Sequence, residues 1–253
     1  MVSERIECIA AILAEEGNAF VSAPYAGASF TREQQVDLYV GDLEVFPHAF
    51  VLGCVLDRQV RSSMAWRLPY LMAQEIGPGF QDFEKLSRNW VRELIRTNLG
   101  RYYNRFTDYV FDAIERIRIK YDGNASQIWK GSPKSATLVK RFIQFKGIGP
   151  KIASMASNIL YRDFKVKVSD TMHIDISPDI QVRRVFYRTG IIDDQKSVDE
   201  TILSARELNP VYPGLIDLPT WNIGNEICRP KEPKCSQCKL EPYCLKQDVR
   251  QPA

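Results

Sequence analysis

Four cysteines lie close together near the end of the chain, and they limit what that region can fold into. Cys228, Cys235, Cys238 and Cys244 are spaced C-x6-C-x2-C-x5-C, and no other cysteine follows residue 54. Four thiolates in so short a loop require a shared ligand. The set favours a [4Fe-4S] cluster, because a structural zinc ribbon usually offers two C-x2-C pairs and only one is present here. Zinc and disulfides stay open as alternatives.

Composition indicates a soluble globular protein. The chain has 253 residues, of which 45% are hydrophobic, enough for one large core or two modest ones. No apolar run approaches the roughly 20 residues of a membrane helix, and the N-terminus has acids where a secretory signal has basic residues. We therefore expect an intracellular, cytoplasmic protein associated with the nucleoid, a monomer with no membrane partner. Cys8 and Cys54 lie in apolar helical contexts and are expected to be buried free thiols.

Hydrophobic periodicity near 3.6 residues runs through most of the chain and predicts an all-α fold. A first helix at 4–16 is expected to end at Gly17, and 18–46 is expected to be irregular. Pro47 is expected to open a long apolar helix. The other predicted helices are 62–76, 80–98, 101–121, 133–145 and one that begins at Pro150. The predicted core residues are Phe50, Leu52, Leu56, Leu68, Leu71, Phe111, Ile114 and Ile159.

A glycine hairpin between two helices occurs in the segment VKRFIQFKGIGPKIASM, at 139–155. Glycine at 147 and 149 allows positive φ and a close approach of another backbone, so that amide N–H groups can point outward at the next helix. Such an arrangement, at the positive end of a helix dipole, can hold a phosphate. A bare G-x-G is also common in ordinary turns between packed helices.

Local basic patches make a nucleic-acid partner plausible although the net charge is only +3. Each run alone is typical of a solvated face, but three of them flank the hairpin and the cysteine loop. The patches are Lys140, Arg141, Lys146 and Lys151; Arg183, Arg184 and Arg188; and Arg229, Lys231 and Lys234.

The chain resembles the helix–hairpin–helix DNA glycosylase superfamily, specifically its endonuclease III-like branch. FKGIGPKIA at 145–153 is similar to the family's LPGVGxKTA, and PDIQVRRV at 178–185 is similar to its VDxHVxRV. The cysteine spacing is that of the family's [4Fe-4S] loop. The resemblance implies two helical lobes: a six-helix barrel at 47–163 that contains the hairpin, and a discontinuous lobe of 1–46 and 164–253 that carries the cluster. Double-stranded DNA containing a lesion is expected to lie between them.

The same resemblance implies a DNA repair glycosylase with AP lyase activity. Such an enzyme flips a damaged base out of the duplex, with an oxidised pyrimidine the expected lesion. Lys151 is expected to attack the sugar C1′ and form a Schiff base, followed by β-elimination. Asp179 is expected to supply the carboxylate that stabilises positive charge on the sugar. Two alternatives stay open: a glycosylase for a mismatched or unusual modified base, and a non-catalytic DNA-binding module.

The position of the catalytic acid is ambiguous in the sequence. Asp179 is followed at the expected places by Arg184 and by the segment Arg188-Thr189-Gly190, but it lies 28 residues after Lys151, further than the resemblance implies. Asp170, which is 19 residues after Lys151, fits the separation but lacks the arginines. We prefer Asp179, with Asp170 as the main alternative. Two minor alternatives stay open, namely Asp175 and a site without a catalytic Asp.

Several positions depart from the family pattern. Gln59 is expected to fill the space left by the flipped nucleotide, with Arg58 and Arg61 near phosphates. The adenine-specific members have a catalytic Glu four residues before this glutamine, where this chain has Val55, so adenine removal by that route is not expected. Gln181 replaces a family histidine, and 18–46 is longer than in endonuclease III. The DNA contacts expected overall are Arg58, Gln59, Gly147, Gly149, Arg229, Lys231 and Lys234, while His48 and His173 are expected to be structural.

Overall fold

A computed structural model of the chain describes residues 4–25, 27 and 29–249, and within these ranges the regular secondary structure is entirely helical. The all-α prediction is confirmed. The helices are α1 (Glu4–Ser22), α2 (Gln34–Gly41), α3 (Pro47–Leu56), α4 (Ser62–Ile76), α5 (Phe80–Phe83), α6 (Arg88–Leu99), α7 (Tyr103–Lys120), α8 (Ser135–Ile143), α9 (Pro150–Arg162), α10 (Ile180–Thr189), α11 (Val198–Leu208) and α12 (Asp217–Asn222). None of the helices in the described residues is long and apolar enough to span a membrane.

Helix α1 extends further than its sequence pattern predicts. Gly17 was expected to end it, but the helix continues to Ser22 and Gly17 is buried inside it. A Cβ at this position would lie 2.3 Å from the carbonyl oxygen of Leu215, so glycine here allows close packing and does not stop the helix. The predicted irregular segment 18–46 also contains α2. Both predictions failed because tertiary packing outweighed local propensity.

The first hydrophobic core is formed mainly by α3, α4, α6, α7, α8 and α9. Helix α3 is buried on all sides, as its uninterrupted apolar sequence indicates. Five of the predicted core residues are buried there: Phe50, Leu52, Leu56, Leu68 and Ile114. The other three, Leu71, Phe111 and Ile159, are partly buried against the same core.

The second core joins the N-terminal helix to the C-terminal part of the chain. Ile9 and Leu13 of α1 pack with Val182 and Phe186 of α10 and with Leu240 of the cysteine loop. Helix α2, by contrast, contributes Val36, Tyr39 and Val40 to the first core. The division into lobes at 46/47 and 163/164 stays a proposal.

The segment before α2 packs against the first core through one aromatic residue. The Asp37 carboxylate accepts hydrogen bonds from the backbone N–H groups of Phe30, Thr31 and Arg32, which fixes the turn. The ring of Phe30 stacks on Trp66 with centroids 4.0 Å apart. The segment before α2, which was predicted to be irregular, therefore supports the ring of Trp66 in α4. The indole N–H of Trp66 in turn donates to Asp57.

Candidate active site

The glycine hairpin leads directly into α9. Gly147 has φ +91°, in the left-handed region, and a Cβ there would lie 2.6 Å from the ring of Tyr109. Gly149 has φ −97° and precedes Pro150 at the first turn of the helix. Positive φ was expected at both glycines and occurs only at Gly147. Gly149 has open space where a Cβ would be, so it leaves the helix N-terminus accessible.

The turn between α3 and α4 is fastened to this hairpin. The Nη1 of Arg58 donates to the carbonyl oxygen of Gly147 at 2.6 Å, and its guanidinium lies over the Tyr109 ring, 5.5 Å from the centroid. Gln59 is exposed and has φ +56°, a conformation that is uncommon for a residue other than glycine. The structure thus brings the predicted wedge residue and the predicted phosphate-binding glycines next to each other.

Lys151 lies on the first turn of α9 and its side chain is exposed. Within the part of the chain that the structure describes, it is in none of the ion pairs closer than 4.0 Å. Burial raises the pKa of Asp57, and the charge of Lys151 lowers it by less, so the amine acts on this carboxylate electrostatically. An exposed amine at a helix N-terminus is available for nucleophilic attack on a bound sugar.

Asp57 is a site residue that the sequence did not reveal. It is half-buried at the C-terminal end of α3, and its Oδ2 accepts hydrogen bonds from Ser62 Oγ at 2.9 Å and from Trp66 Nε1 at 2.8 Å. Burial raises its pKa, while these two hydrogen bonds and the charge of Lys151 lower it by less. A signal was present in the sequence, namely an acid that ends an otherwise apolar helix two residues before Gln59.

Asp179, the predicted acid, is the N-cap of α10. Its Oδ1 accepts hydrogen bonds from the backbone N–H groups of Gln181 at 2.8 Å and Val182 at 2.9 Å. Its Oδ2 accepts one from Trp221 Nε1 at 3.1 Å. N–H donors and the positive end of a helix dipole stabilise a carboxylate in its ionised form. The side chain can therefore hold a fixed negative charge.

A second buried acid supports the turn that carries Asp179. The backbone N–H of Ser177 donates to Asp217 Oδ1 at 2.7 Å. Burial raises the pKa of Asp217 to about 6, and the charge of Asp179 also raises it, whereas the Ser177 hydrogen bond and the charge of Arg162 lower it. Asp217 thus fixes the backbone two residues before the N-cap.

The two alternative acids have other partners. Asp170 accepts a hydrogen bond from the hydroxyl of Ser135, which is the first residue of α8. The hairpin follows the opposite end of this nine-residue helix, about 13 Å away at 1.5 Å per residue. Asp175 forms a two-contact ion pair with Arg206, with N–O distances of 2.7 and 2.9 Å. In the described residues, the partners of these two carboxylates are Ser135, Ser169, His173 and Arg206.

The four clustered cysteines surround a single small cavity, which Arg188 also lines. All six cysteines of the chain are described, and all are free thiols, so disulfides are not formed. Burial raises the pKa of Cys238, and the charges of Cys228, Cys244 and Cys235 raise it further, which reflects their mutual proximity. Among the described residues, no group of three His, Cys, Asp or Glu side chains is close enough to hold a single metal ion.

The prediction that Arg183, Arg184 and Arg188 form an exposed phosphate-binding patch is wrong for two of its three residues. Arg184 and Arg188 are buried, and they hydrogen-bond backbone carbonyl groups of the cysteine loop. Arg184 donates to Cys228 O at 2.6 Å, and Arg188 donates to Arg229 O at 2.7 Å and approaches Cys228 Sγ at 3.5 Å. Their charges hold the loop in place and do not face solvent. Arg229, Lys231 and Lys234 are exposed on that loop, as expected for groups that could meet a phosphate backbone.

His48, which was predicted to be structural, lies buried beside the first core. His48 is buried beside the Tyr39 hydroxyl, with 3.3 Å between Nε2 and the oxygen, and burial lowers its pKa to about 4. His173 is exposed and lies near Asp170 and Ser135. Neither histidine lies beside Lys151 or Asp179 in the described contacts, which leaves the carboxylates and the amine as the ionisable groups of the site.

Solved structures with a similar fold are DNA glycosylases and their DNA complexes. A trapped endonuclease III–DNA covalent intermediate has a TM-score of 0.63 at 17% identity, covering 97% of this chain and 97% of that one. A thermostable thymine-DNA glycosylase has a TM-score of 0.62 at 14% identity, covering 95% of both chains. The 8-oxoguanine DNA glycosylase of Thermotoga maritima has a TM-score of 0.53 at 20% identity, covering 87% of this chain and 95% of that one.

We found no family model and no curated protein that matches the sequence. The structural likeness spans nearly the whole chain. The chain has the fold of the helix–hairpin–helix DNA glycosylase superfamily.

Proposed function

We propose that the protein is a DNA glycosylase with AP lyase activity that removes a damaged base from double-stranded DNA. The observation that carries this proposal is the position of Lys151, an exposed amine on the first turn of the helix that follows the glycine hairpin. The neutral amine attacks C1′ of the flipped nucleotide, and the base leaves with the electron pair of the glycosidic bond. The C1′–O4′ bond of the sugar then opens, O4′ takes up a proton from the nitrogen, and the resulting Schiff base undergoes β-elimination.

Asp179 supplies negative charge for this reaction. Cleavage of the glycosidic bond builds positive charge on the sugar, and a carboxylate oriented by three N–H donors stabilises such charge without rearranging. Asp170 is less suited because it lies at the far end of α8, and Asp175 is neutralised by Arg206.

Double-stranded DNA is held through its phosphates. The open N-terminus of α9 at Gly149 offers backbone N–H groups, while Arg229, Lys231 and Lys234 offer positive charge on the cysteine loop. Gln59 occupies the gap in the duplex, and Arg58 positions the turn that carries it. If these contacts form, the affinity of the Lys231→Ala variant should depend less strongly on salt. The slope of log affinity against log salt concentration should become less negative by about 0.9.

A [4Fe-4S] cluster is the ligand that best fits the four thiols. Cys228, Cys235, Cys238 and Cys244 would hold it, and Arg188 would lie beside Cys228 as a charged neighbour. It would fix the loop that bears the basic side chains. Anaerobic purification tests this: a brown protein with broad absorbance near 400 nm supports the cluster, and a colourless zinc protein contradicts it.

The lesion is expected to be an oxidised pyrimidine, with a mismatched or unusual base as the second candidate. The second candidate is favoured by the replacement of the family histidine with Gln181 and by similar structures that include a thymine-DNA glycosylase. Duplexes that each carry one oxidised, mismatched, deaminated or alkylated base separate the two, since only the true substrate releases its base in a single turnover.

Borohydride trapping tests the proposed chemistry. The wild-type protein should form a covalent adduct with a duplex that contains an abasic site, and Lys151→Ala should form none. Lys146→Ala, which changes an exposed lysine on the hairpin, is the matched control and should form the adduct. Salt-dependent DNA binding without any adduct or base release would instead indicate a non-catalytic DNA-binding module.

A further inference from the structure

The turn that carries Asp57 is held against the hairpin that leads to Lys151. Asp57 and Lys151 are 94 positions apart in sequence. The next residue after Asp57, Arg58, donates to the carbonyl oxygen of Gly147 at 2.6 Å, and Lys151 follows four residues later. The backbone N–H of Asp57 also bonds Gly53 O at 3.0 Å, which keeps the acid on the end of α3. The separation of the acid from the amine is therefore fixed by the fold.

One oxygen of Asp57 is available to receive a proton. Both side-chain donors, Ser62 Oγ and Trp66 Nε1, bind Oδ2. Across the described residues, Oδ1 accepts no hydrogen bond from the protein. Trp66 is itself fixed, since it is fully buried and stacked on Phe30. The carboxylate is thus oriented through one oxygen and open at the other.

Among the charged groups near Asp57, Lys151 is the cation whose charge acts on the carboxylate. The Arg58–Gly147 hydrogen bond holds their two segments together. Helix α4 contributes the neutral Ser62 and Trp66, and α9 contributes Lys151. Within α3, burial and the charge of Asp57 raise the pKa of Cys54, which stays a neutral thiol. The guanidinium of Arg58 is directed to Gly147 and Tyr109.

Asp179 is less suited to exchange a proton. Three N–H donors bind its two oxygens, and two of them belong to the first turn of α10. Protonation would weaken all three hydrogen bonds and remove charge from the positive end of a helix dipole. Asp57, in contrast, lies at the C-terminal end of α3, where the dipole disfavours negative charge.

We propose that Asp57 accepts the proton that the Lys151 ammonium group must lose before its amine can attack. This inference rests on the proposed function of Lys151. With an abasic-site aldehyde, the proton moves from Nζ to Oδ1 of Asp57, and the amine lone pair forms the N–C1′ bond. The aldehyde oxygen takes up one proton from nitrogen and one from solvent and leaves as water, which gives the protonated Schiff base, while Asp57 returns its proton to solvent. Asp57 acts through Lys151 and need not touch the DNA.

The rate of adduct formation as a function of pH tests this inference. Wild type, Asp57→Asn and Asp57→Glu are compared in single turnovers on an abasic-site duplex with cyanoborohydride, between pH 6 and 9.5. Asp57→Asn should be slower by about 100-fold near pH 6.5, a typical loss for a missing general base. This deficit should shrink steadily toward high pH, because hydroxide in the solvent then takes the proton from the amine without help from Asp57. Asp57→Glu should recover part of the rate near pH 6.5.

Two results separate this inference from the function on which it rests. A wild-type protein that forms no adduct at any pH overturns both. A wild-type adduct combined with a folded Asp57→Asn variant that is unimpaired, or is slowed equally at every pH, overturns the role of Asp57 alone. Far-ultraviolet circular dichroism identifies the variants that fold. If Asp57→Asn does not fold, Asp57→Glu is used instead: a pH profile shifted relative to wild type supports the role of Asp57, and an unchanged profile overturns it.

Discussion

Asp57 and Asp179 are both half-buried acids that accept a hydrogen bond from a tryptophan indole, but they lie at opposite ends of helices. Asp179 begins α10, where backbone N–H groups surround the carboxylate. Asp57 ends α3, where burial raises its pKa. The direction of the helix beneath each acid therefore gives the two carboxylates different electrostatic surroundings within one fold.

The largest expected effect separates the two acids by reaction step. Asp179→Asn should slow release of the damaged base by about 100-fold or more, because it removes charge that stabilises the transition state. It should affect adduct formation with a preformed abasic site far less, since that substrate has no glycosidic bond to break. Single-turnover base release and trapping measure the two steps. Equal losses in both steps would mean that Asp179 and Asp57 do not act on different steps of the reaction.

The hairpin that supports the Asp57 turn offers a matched pair of glycines. Gly147→Ala should lower the free energy of unfolding by about 2 kcal/mol or more, since it combines a left-handed backbone with a clash against Tyr109. Gly149→Ala should be nearly neutral for stability, because its φ is −97° and the space is open. Urea denaturation measures both. A Gly149→Ala variant that unfolds as easily as Gly147→Ala would contradict this reading of the hairpin.

The turn that supports Asp179 should show its own pH dependence. The pKa of Asp217 is raised to about 6 in the folded protein, above its usual value of about 3.9. Its contribution to stability is therefore present below pH 4 and is lost as the pH rises through about 6. Asp217→Asn should remove this loss, so that the variant gains on the order of 2 kcal/mol over wild type between pH 4 and 7.

Urea denaturation at several pH values measures this difference, with the exposed Glu207→Gln on α11 as a control. A difference between Asp217→Asn and wild type that does not change with pH would mean that Asp217 does not titrate in this window.

The smallest expected effects come from the two indoles. Trp66→Phe removes a donor from Asp57 and should raise its pKa, which moves the pH profile of adduct formation upward by about 1 unit. Trp221→Phe removes a donor from Asp179 and should slow base release by about tenfold or less, because Trp221 is 39% exposed. If both changes affect the same step, the two carboxylates do not have separate roles.

The sequence predicted what depends on local pattern and missed what depends on distant packing. Periodicity identified α3, α4, α7, α8, α9 and most of the first core, but the predicted helix 80–98 is two helices, α5 and α6, and α11 and α12 were not predicted. It failed at Gly17, because the close contact with Leu215 is made by residues almost 200 positions away. Arg184 and Arg188 looked like a surface patch for the same reason, since the carbonyl groups that bury them belong to the cysteine loop.

The candidate site shows the same limit. Lys151 and Asp179 could be chosen from their motifs, because one follows a glycine hairpin and the other is an N-cap before an apolar helix. Asp57 could not, because nothing in its own segment shows that the fold brings it to α9. Sequence reveals the residues that carry a motif, while the partners that tune them become visible only when the helices are packed.

Mass spectrometry of the reduced adduct tests the central claim most directly. The wild-type protein is trapped on an abasic-site duplex, digested with protease and nuclease, and the modified peptide is sequenced. The proposed chemistry predicts that the sugar remnant is attached to the side chain of Lys151. Attachment to Lys146 or to any other amine, or the absence of an adduct from active protein, would contradict it.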